Sequence, residues 1–182
     1  MPIKLYDHQL DALNDISNGC ILCGGVGSGK SITAIAWYYL QNGGSIETLK
    51  GGDYIKMPDP PKDLYIITTA RKRDTKEWAG ELLPFLLSSI EQYLYSNKIV
   101  IDSWNNIPKY VGIHDAIFIF DEQRVVGYGT WTKSFLKITK SNMWIMLSAT
   151  PGDTWTDYIP VFIANGFYRN KTEFNEMHVV FK

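Results

Sequence analysis

Residues 24–31, Gly-Gly-Val-Gly-Ser-Gly-Lys-Ser, are of types that bind phosphate. They fit the Walker A pattern G-x-x-x-x-G-K-[ST] at every fixed position, and they lie between a short apolar run and a helical pattern. Glycines let successive backbone N–H groups turn inward around phosphates, and the N-terminus of the following helix adds partial positive charge. We expect Lys30 to reach the β- and γ-phosphates and the Ser31 hydroxyl to ligate magnesium. The predicted nucleotide-binding residues of this loop are Gly25, Val26, Gly27, Ser28, Gly29, Lys30 and Ser31.

Two adjacent acidic residues, Asp121 and Glu122, follow the apolar run 116–120. This pattern predicts a buried strand whose C-terminal end presents charge, and ligands of open α/β sheets bind at that end. Beside a phosphate loop, Asp121 would hold magnesium through water, together with Ser31. Glu122 would polarise the attacking water, as phosphoryl transfer requires. The predicted catalytic residues are therefore Lys30, Asp121 and Glu122.

Further polar residues lie where elements begin or end. Gln9 opens a helical pattern upstream of the loop, and its side chain offers both a donor and an acceptor, which suits the edge of adenine. Ser148 and Thr150 follow an apolar run, and their hydroxyls could relay the state of the phosphates.

The elements that must position these residues alternate along the chain as apolar runs and helical patterns. Runs that are apolar throughout are typical of strands covered on both faces, and their alternation with helices indicates a parallel α/β sheet. We predict an α/β fold of the RecA-like P-loop type, with a mostly parallel sheet flanked by helices. The predicted strands are residues 20–23, 64–67, 99–101, 116–120 and 143–147.

Two other segments predict a helix and a long connection between elements. Trp78, Leu82, Phe85 and Leu86 recur at helical spacing, and Pro84 should end or kink that helix. Residues 41–63 are rich in glycine and proline, which predicts a long surface connection with a small hairpin at 54–57. A partner-binding insertion is the alternative for this segment.

Length and charge limit the class of protein. A chain of 182 residues fits one domain, 1–182, with a C-terminal helix and tail at 153–182. The net charge of −1 gives no overall positive charge that would indicate nucleic-acid binding. We see no signal peptide and no apolar run of the roughly 18 residues that a membrane span needs, so we expect a cytoplasmic protein without a membrane partner.

The two cysteines, Cys20 and Cys23, exclude a disulfide-rich scaffold. Their C-x-x-C spacing also suits zinc or redox chemistry, but no second pair of ligands exists. We therefore expect two small buried apolar residues of a strand.

Motif order indicates a family. The chain resembles the first RecA-like lobe of superfamily-two helicases and translocases, and most closely Swi/Snf-type ATPases of the compact form found in phage. The motifs that match, in family order, are Gln9, residues 24–31, Thr69-Ala70-Arg71 with Trp78 and Glu81, residues 101–104, residues 121–124, and residues 148–152. One departure is Arg124, because the family often has histidine there.

The resemblance implies an ATP- and magnesium-dependent hydrolase that works on DNA, with RNA as the alternative. It implies that Thr69, Arg71 and Lys72 contact the nucleic-acid backbone, contacts that add affinity without reading sequence. For Arg73 and Lys76 we expect a solvated helix face, and for Trp104 a core position rather than base stacking. Ser148 and Thr150 would couple hydrolysis to movement.

The same resemblance implies a second RecA-like lobe, in cis or in trans, because the family's ATP site lies between two lobes. The arginine of that lobe would be worth on the order of 10³–10⁵ in rate. Two other classes stay open: another P-loop ATPase or phosphotransferase, such as a packaging-type motor, and a non-catalytic module that binds nucleic acid or a protein. A small-molecule kinase has no use for Gln9 or the 148–150 motif, and intact Lys30, Asp121 and Glu122 weigh against the non-catalytic module.

Overall fold

A computed structural model describes residues 3–85, 87, 95–122, 125, 127–149 and 154–178. Predictions for Leu86, Arg124 and Thr150 lie outside these residues. In this part of the chain, strands and helices alternate as the apolar pattern predicts. The strands are β1 Ile21–Cys23, β2 Leu64–Thr68, β3 Ile99–Ser103, β4 Ile117–Asp121 and β5 Met143–Ser148. The helices are α1 Asp7–Asp15, α2 Lys30–Gln41, α3 Ile46–Leu49, α4 Ala70–Asp74, α5 Glu77–Leu82, α6 Thr130–Thr139, α7 Ile159–Ala164 and α8 Lys171–His178.

The five described strands form one parallel sheet in the order β1-β5-β4-β2-β3. Strands β1 and β5 pair Cys23 with Ser148, and β4 and β5 pair Asp121 with Leu147. The C-terminal ends of these strands therefore lie along one edge of the sheet. The predicted α/β fold is confirmed.

Two hydrophobic layers cover the sheet, because successive side chains of a strand point to opposite faces. In β4, Ile117 and Ile119 pack into the layer that holds α2 and α5, while Phe118 and Phe120 pack into the layer that holds α6. All five residues of β4 are buried, which explains why its sequence is apolar until Asp121.

Pro84 ends a helix as predicted. The α-helix α5 stops at Leu82, and residues Leu83–Phe85 form a 3₁₀ turn that contains the proline. Trp78, Leu82 and Phe85 are buried at the predicted helical spacing. None of the helices in the described ranges is long and apolar enough to cross a membrane.

The hairpin predicted at 54–57 is wrong. The segment 41–63 instead contains the short helix α3, and Leu49 and Met57 are buried to 1% exposure or less. Side chains, and not a second strand, form hydrogen bonds with the backbone of this segment. The Tyr39 hydroxyl donates to the Ile55 carbonyl at 2.6 Å, and the Ile55 N–H donates to Thr48 Oγ1 at 3.1 Å. The connection is thus packed onto the domain.

The burial predicted for both cysteines is also wrong. Cys20 is half-buried and Cys23 is exposed, and both are free thiols. The reason is the position of β1 at the edge of the sheet, where only β5 lies beside it.

Candidate nucleotide and magnesium site

The glycine-rich loop joins the end of β1 to the start of α2, as the pattern predicts. Gly27 and Gly29 have φ angles of 80° and 75°, in the left-handed region that favours glycine. Gly29 also lies against Gln9, so that a Cβ at position 29 would be 2.2 Å from Gln9 Nε2. Backbone conformation and close approach therefore both require glycine at position 29.

The ammonium of Lys30 folds back over this loop. Its Nζ donates to the backbone carbonyls of Gly24 and Gly25, at 2.5 and 2.8 Å. Both acceptors are backbone carbonyls of the loop itself. A bound phosphate could therefore replace them as the hydrogen-bond acceptor of the ammonium, and no described ion pair of Lys30 would have to break.

Asp121 ends β4 and is held by three donors. Its Oδ2 accepts hydrogen bonds from Thr68 Oγ1 at 2.7 Å, Trp78 Nε1 at 3.2 Å and Lys72 Nζ at 3.0 Å. Within the described ranges no residue donates to Oδ1. The carboxylate is 3% exposed, and burying it requires this set of partners. One oxygen therefore fixes the side chain, and the other can serve a ligand.

Glu122 follows in a left-handed backbone conformation, with φ of 60°. This conformation costs energy in a non-glycine residue and is often found at functional sites. Its Oε1 lies 3.0 Å from Lys72 Nζ, so one ammonium bridges both carboxylates. Burial lowers the pKa of Lys72, but hydrogen bonds to Glu122 and Asp121 outweigh it and leave that pKa raised. Lys72 is therefore a cation here.

One cleft of about 360 Å³ brings the predicted residues together. Gly27, Lys30 and Ser31 line it from the loop, and Asp121 and Glu122 line it from the end of β4. Chain elements that are far apart in sequence thus form a single site.

The donor atoms of this cleft fit magnesium. Among the described residues, no group of three or more His, Cys, Asp or Glu side chains could hold a metal ion. The cleft offers the Ser31 hydroxyl and the oxygens of Asp121 and Glu122. Magnesium prefers oxygen ligands and keeps waters or takes phosphate oxygens for the rest, so a short set of hard ligands fits it.

Sequence reasoning missed the supports of this site. Thr68 and Trp78 hold Asp121, and the half-buried Glu81 lines the cleft beside Lys30. Burial raises the pKa of Glu81 above its usual value. The only signal for Trp78 and Glu81 was their spacing within one motif, which named positions but no contacts, and Thr68 precedes that motif.

Gln9 lies against the loop rather than in the larger cleft. It is 5% exposed, its Oε1 accepts from the Tyr6 N–H at 2.8 Å, and its Nε2 donates to the Gly29 carbonyl at 3.4 Å. With His8, Ser28 and Lys30 it lines a smaller cleft of about 120 Å³ between α1 and the loop. Adenine recognition by Gln9 stays a prediction.

The residues predicted to touch nucleic acid lie beside the first cleft. Thr69 caps α4 by accepting from the Lys72 N–H at 3.3 Å, and Arg71 is exposed. Thr69, Arg71, Lys72, Glu77 and Glu122 line a second cleft of about 460 Å³. Lys72 and Glu122 thus belong to both clefts. Trp104 is buried, as expected, and its indole donates to the Asp121 carbonyl at 3.0 Å.

The solvated face predicted for Arg73 is wrong. Its guanidinium donates to Asp102 Oδ1 and Ser103 Oγ, both at 3.1 Å, because α4 packs along the end of β3. Burial would raise the pKa of Asp102, but hydrogen bonds from Asn106, Tyr110, the Ser103 N–H and Arg73 lower it to about 2.

Ser148 connects β5 to the loop. It is 3% exposed, and its backbone carbonyl accepts from the Gly24 N–H at 3.2 Å. The start of the phosphate loop is therefore bonded to the segment that was predicted to couple hydrolysis to movement. The second predicted coupling residue, Thr150, lies beyond the described ranges.

Comparison with solved structures agrees with the fold. The SWI2/SNF2 ATPase core of Sulfolobus solfataricus, solved in complex with double-stranded DNA, is similar with a TM-score of 0.67. The two sequences are 16% identical, and the match covers 96% of this chain and 39% of that chain. The chain has a helicase-like fold. A structural match at this low sequence identity shows a similar fold and nothing more. The chain spans well under half the length of that protein. Neither a protein-family model nor a curated protein matches the sequence.

Proposed function

We propose that this domain is the ATP-binding lobe of a nucleic-acid-dependent ATPase, a helicase or translocase of the Swi/Snf type related to the compact phage forms. The observation that carries the proposal is the shared cleft, in which Lys30 and Ser31 lie with Asp121 and Glu122. We also propose that it works in the cytoplasm, or in the host cytoplasm if it is viral.

The glycine-rich loop binds the phosphates of ATP. The backbone from Gly25 to Gly29 surrounds the phosphates with N–H groups. The Lys30 ammonium exchanges its two carbonyl partners for β- and γ-phosphate oxygens, a change from neutral to charged acceptors that strengthens the hydrogen bonds. The Ser31 hydroxyl and, through water, the unshared oxygen of Asp121 would hold magnesium, which would neutralise charge developing on the phosphates.

Glu122 is the proposed water-positioning residue. It follows Asp121 directly and lines the same cleft, with a side chain that is 37% exposed. An accessible carboxylate beside the phosphates can accept a proton from water and orient it for in-line attack. Thr68 and Trp78 act as positioning residues, since they fix the preceding carboxylate.

Nucleic acid would bind next to the ATP site. The cleft that Thr69 and Arg71 line shares Lys72 and Glu122 with the nucleotide cleft and offers an exposed guanidinium and a hydroxyl. Such groups contact backbone phosphates without reading bases. The Sulfolobus ATPase core of similar fold was solved with double-stranded DNA, which supports DNA as the partner.

A second RecA-like lobe would complete the site. We propose that it supplies the arginine that phosphoryl transfer needs, and that Ser148 and Thr150 pass the state of the phosphates to it. The bond between Ser148 and Gly24 supports this route, because it ties β5 to the first residue of the loop.

Substitution of Glu122 tests the catalytic assignment. We expect Glu122→Gln, in a protein that holds both lobes, to keep ATP affinity within about twofold and to lower DNA-stimulated hydrolysis by about 10²-fold or more, because the general base is lost. Lys133→Gln on the exposed face of α6 is the matched control and should leave both quantities unchanged. Unchanged hydrolysis in Glu122→Gln would remove Glu122 from this role, and hydrolysis indifferent to DNA would favour another kind of P-loop enzyme.

A further inference from the structure

Lys72 pairs with both acids that the proposed function assigns to the metal–nucleotide complex. Its Nζ lies 3.0 Å from Asp121 Oδ2 and 3.0 Å from Glu122 Oε1. A magnesium ion held by Ser31 and the other oxygen of Asp121 would lie close to this ammonium, and the two cations would repel each other. The Lys72 ion pair and a bound metal ion therefore disfavour each other, because both place a cation beside the carboxylate of Asp121.

Asp121 does not depend on Lys72 for its position. Thr68 Oγ1 and Trp78 Nε1 both donate to the same oxygen, and both belong to buried side chains. If the ammonium leaves, these two donors keep the carboxylate in place. The acids can thus exchange one cation for another without reorganising β4.

The released side chain has a second location within reach. Lys72 lines the neighbouring cleft with Thr69 and Arg71 as well as the nucleotide cleft. Its side chain is 26% exposed, so part of it is in contact with solvent. An ammonium on a flexible four-carbon stem can move between the two clefts while its backbone stays in α4.

We propose that Lys72 is an exchangeable internal counter-ion that links the two clefts. It neutralises Asp121 and Glu122 when no metal–nucleotide complex is bound, and on binding of that complex it moves to the second cleft and binds a backbone phosphate. This proposal rests on the proposed function, and it adds a consequence for regulation. Because binding linkage is reciprocal, metal–nucleotide should tighten nucleic-acid binding, and nucleic acid should tighten metal binding.

The first test removes the ammonium and measures metal binding. We expect Lys72→Met, which keeps an unbranched apolar stem, to bind Mn²⁺ in the presence of ADP about tenfold more tightly than the wild-type chain, because the competing cation is gone. Electron paramagnetic resonance of free Mn²⁺ reports this affinity without any turnover. Lys72→Gln is the second variant, and Lys133→Met on α6 is the control that should leave the affinity unchanged.

The second test measures the linkage. In the wild-type chain, Mn²⁺ with a non-hydrolysable ATP analogue should raise the affinity for a DNA duplex by about fivefold or more, and in Lys72→Met the increase should disappear. A folded Lys72 variant whose Mn²⁺ affinity is unchanged or weaker would overturn the proposal, because Lys72 would then be a permanent structural partner. The absence of the DNA effect in the wild type would also overturn it, even if neither variant folds. Failure of the proposed function gives a different result, namely a wild-type chain that binds no metal–nucleotide complex.

Discussion

The hydroxyl of Thr68 donates to the carboxylate of Asp121 at 2.7 Å, across the pair of strands β2 and β4. The register explains the contact. Ile67 pairs with Phe120, so the next residue of each strand lies beside the other at the C-terminal edge of the sheet. A buried acid is thus held by a neighbouring strand, which ties the stability of the domain to the geometry of its site.

Thr68→Val removes that donor and keeps the shape of the side chain. Hydrogen bonds to charged groups contribute about 1.5–3 kcal/mol, so we expect the free energy of unfolding to fall by that amount. Urea denaturation of the nucleotide-free chain measures it. Thr139→Val is the matched control, because the Thr139 hydroxyl donates to a neutral carbonyl, that of Leu136, at 3.3 Å. Its loss should be about 1 kcal/mol or less. Equal losses in both variants would show that the charge of Asp121 contributes nothing at this bond.

Glycine-to-alanine changes in the loop should separate the cost of a left-handed backbone from the cost of a steric clash with Gln9. An alanine Cβ would meet open space at Gly25. Gly27 combines open space with a φ of 80°, and Gly29 combines a φ of 75° with the close approach to Gln9. Left-handed backbone costs a non-glycine residue about 1–2 kcal/mol. We expect the loss of unfolding free energy to increase from Gly25→Ala to Gly27→Ala to Gly29→Ala. Combining Gly29→Ala with Gln9→Ala should recover part of the loss, and no recovery would mean that Gln9 does not restrict position 29.

Asp102 should make stability depend on pH in the acid range. Its pKa of about 2 in the folded chain lies below the roughly 3.9 of an unfolded aspartate. The carboxylate therefore stabilises the fold fully above pH 4 and loses this contribution as the pH falls through 2, by about 2 kcal/mol in all. We expect Asp102→Asn to lower the unfolding free energy by that amount at pH 7 and by progressively less below pH 4.

Chemical denaturation between pH 2.5 and 7 measures this difference. Asp74→Asn is the control, since Asp74 pairs with the same Arg73 at the surface, where such pairs contribute about 0–1 kcal/mol. A deficit in Asp102→Asn that stays constant down to pH 2.5 would contradict the network of Arg73, Asn106 and Tyr110 as the cause.

Local patterns were sufficient for the strands and most helices, and they named Lys30, Ser31, Asp121 and Glu122, which line one cleft. The apolar run of β4 ends in Asp121 and β1 leads into the glycine-rich loop, and in a parallel sheet these ends must share one edge. Contacts across the sheet were not predictable from such patterns. Trp78 and Asp121 are 43 residues apart, and their hydrogen bond depends on the strand order and on the packing of α5.

Basic residues of α4 show the same limit. The sequence and its family resemblance predict that Arg71 and Lys72 bind nucleic acid and that Arg73 is solvated, because the acids that pair with Lys72 and Arg73 across the fold are distant in sequence. In the fold, Lys72 meets the end of β4 and Arg73 meets the end of β3, because α4 lies across both. The connection at 41–63 differs from its prediction for another reason. The hydroxyls of Tyr39 and Thr48 form hydrogen bonds with its backbone, and its glycine and proline content gave no sign of these contacts.

Calorimetric titration of the 182-residue chain with Mg·ATP tests the nucleotide site most directly. We expect measurable binding by the wild type and a loss of about tenfold or more in Lys30→Ala, because charge-assisted bonds to the β- and γ-phosphates are removed. Lys133→Ala should bind as the wild type does. No binding by the wild type, or equal binding by Lys30→Ala, would contradict the assignment of this cleft to ATP.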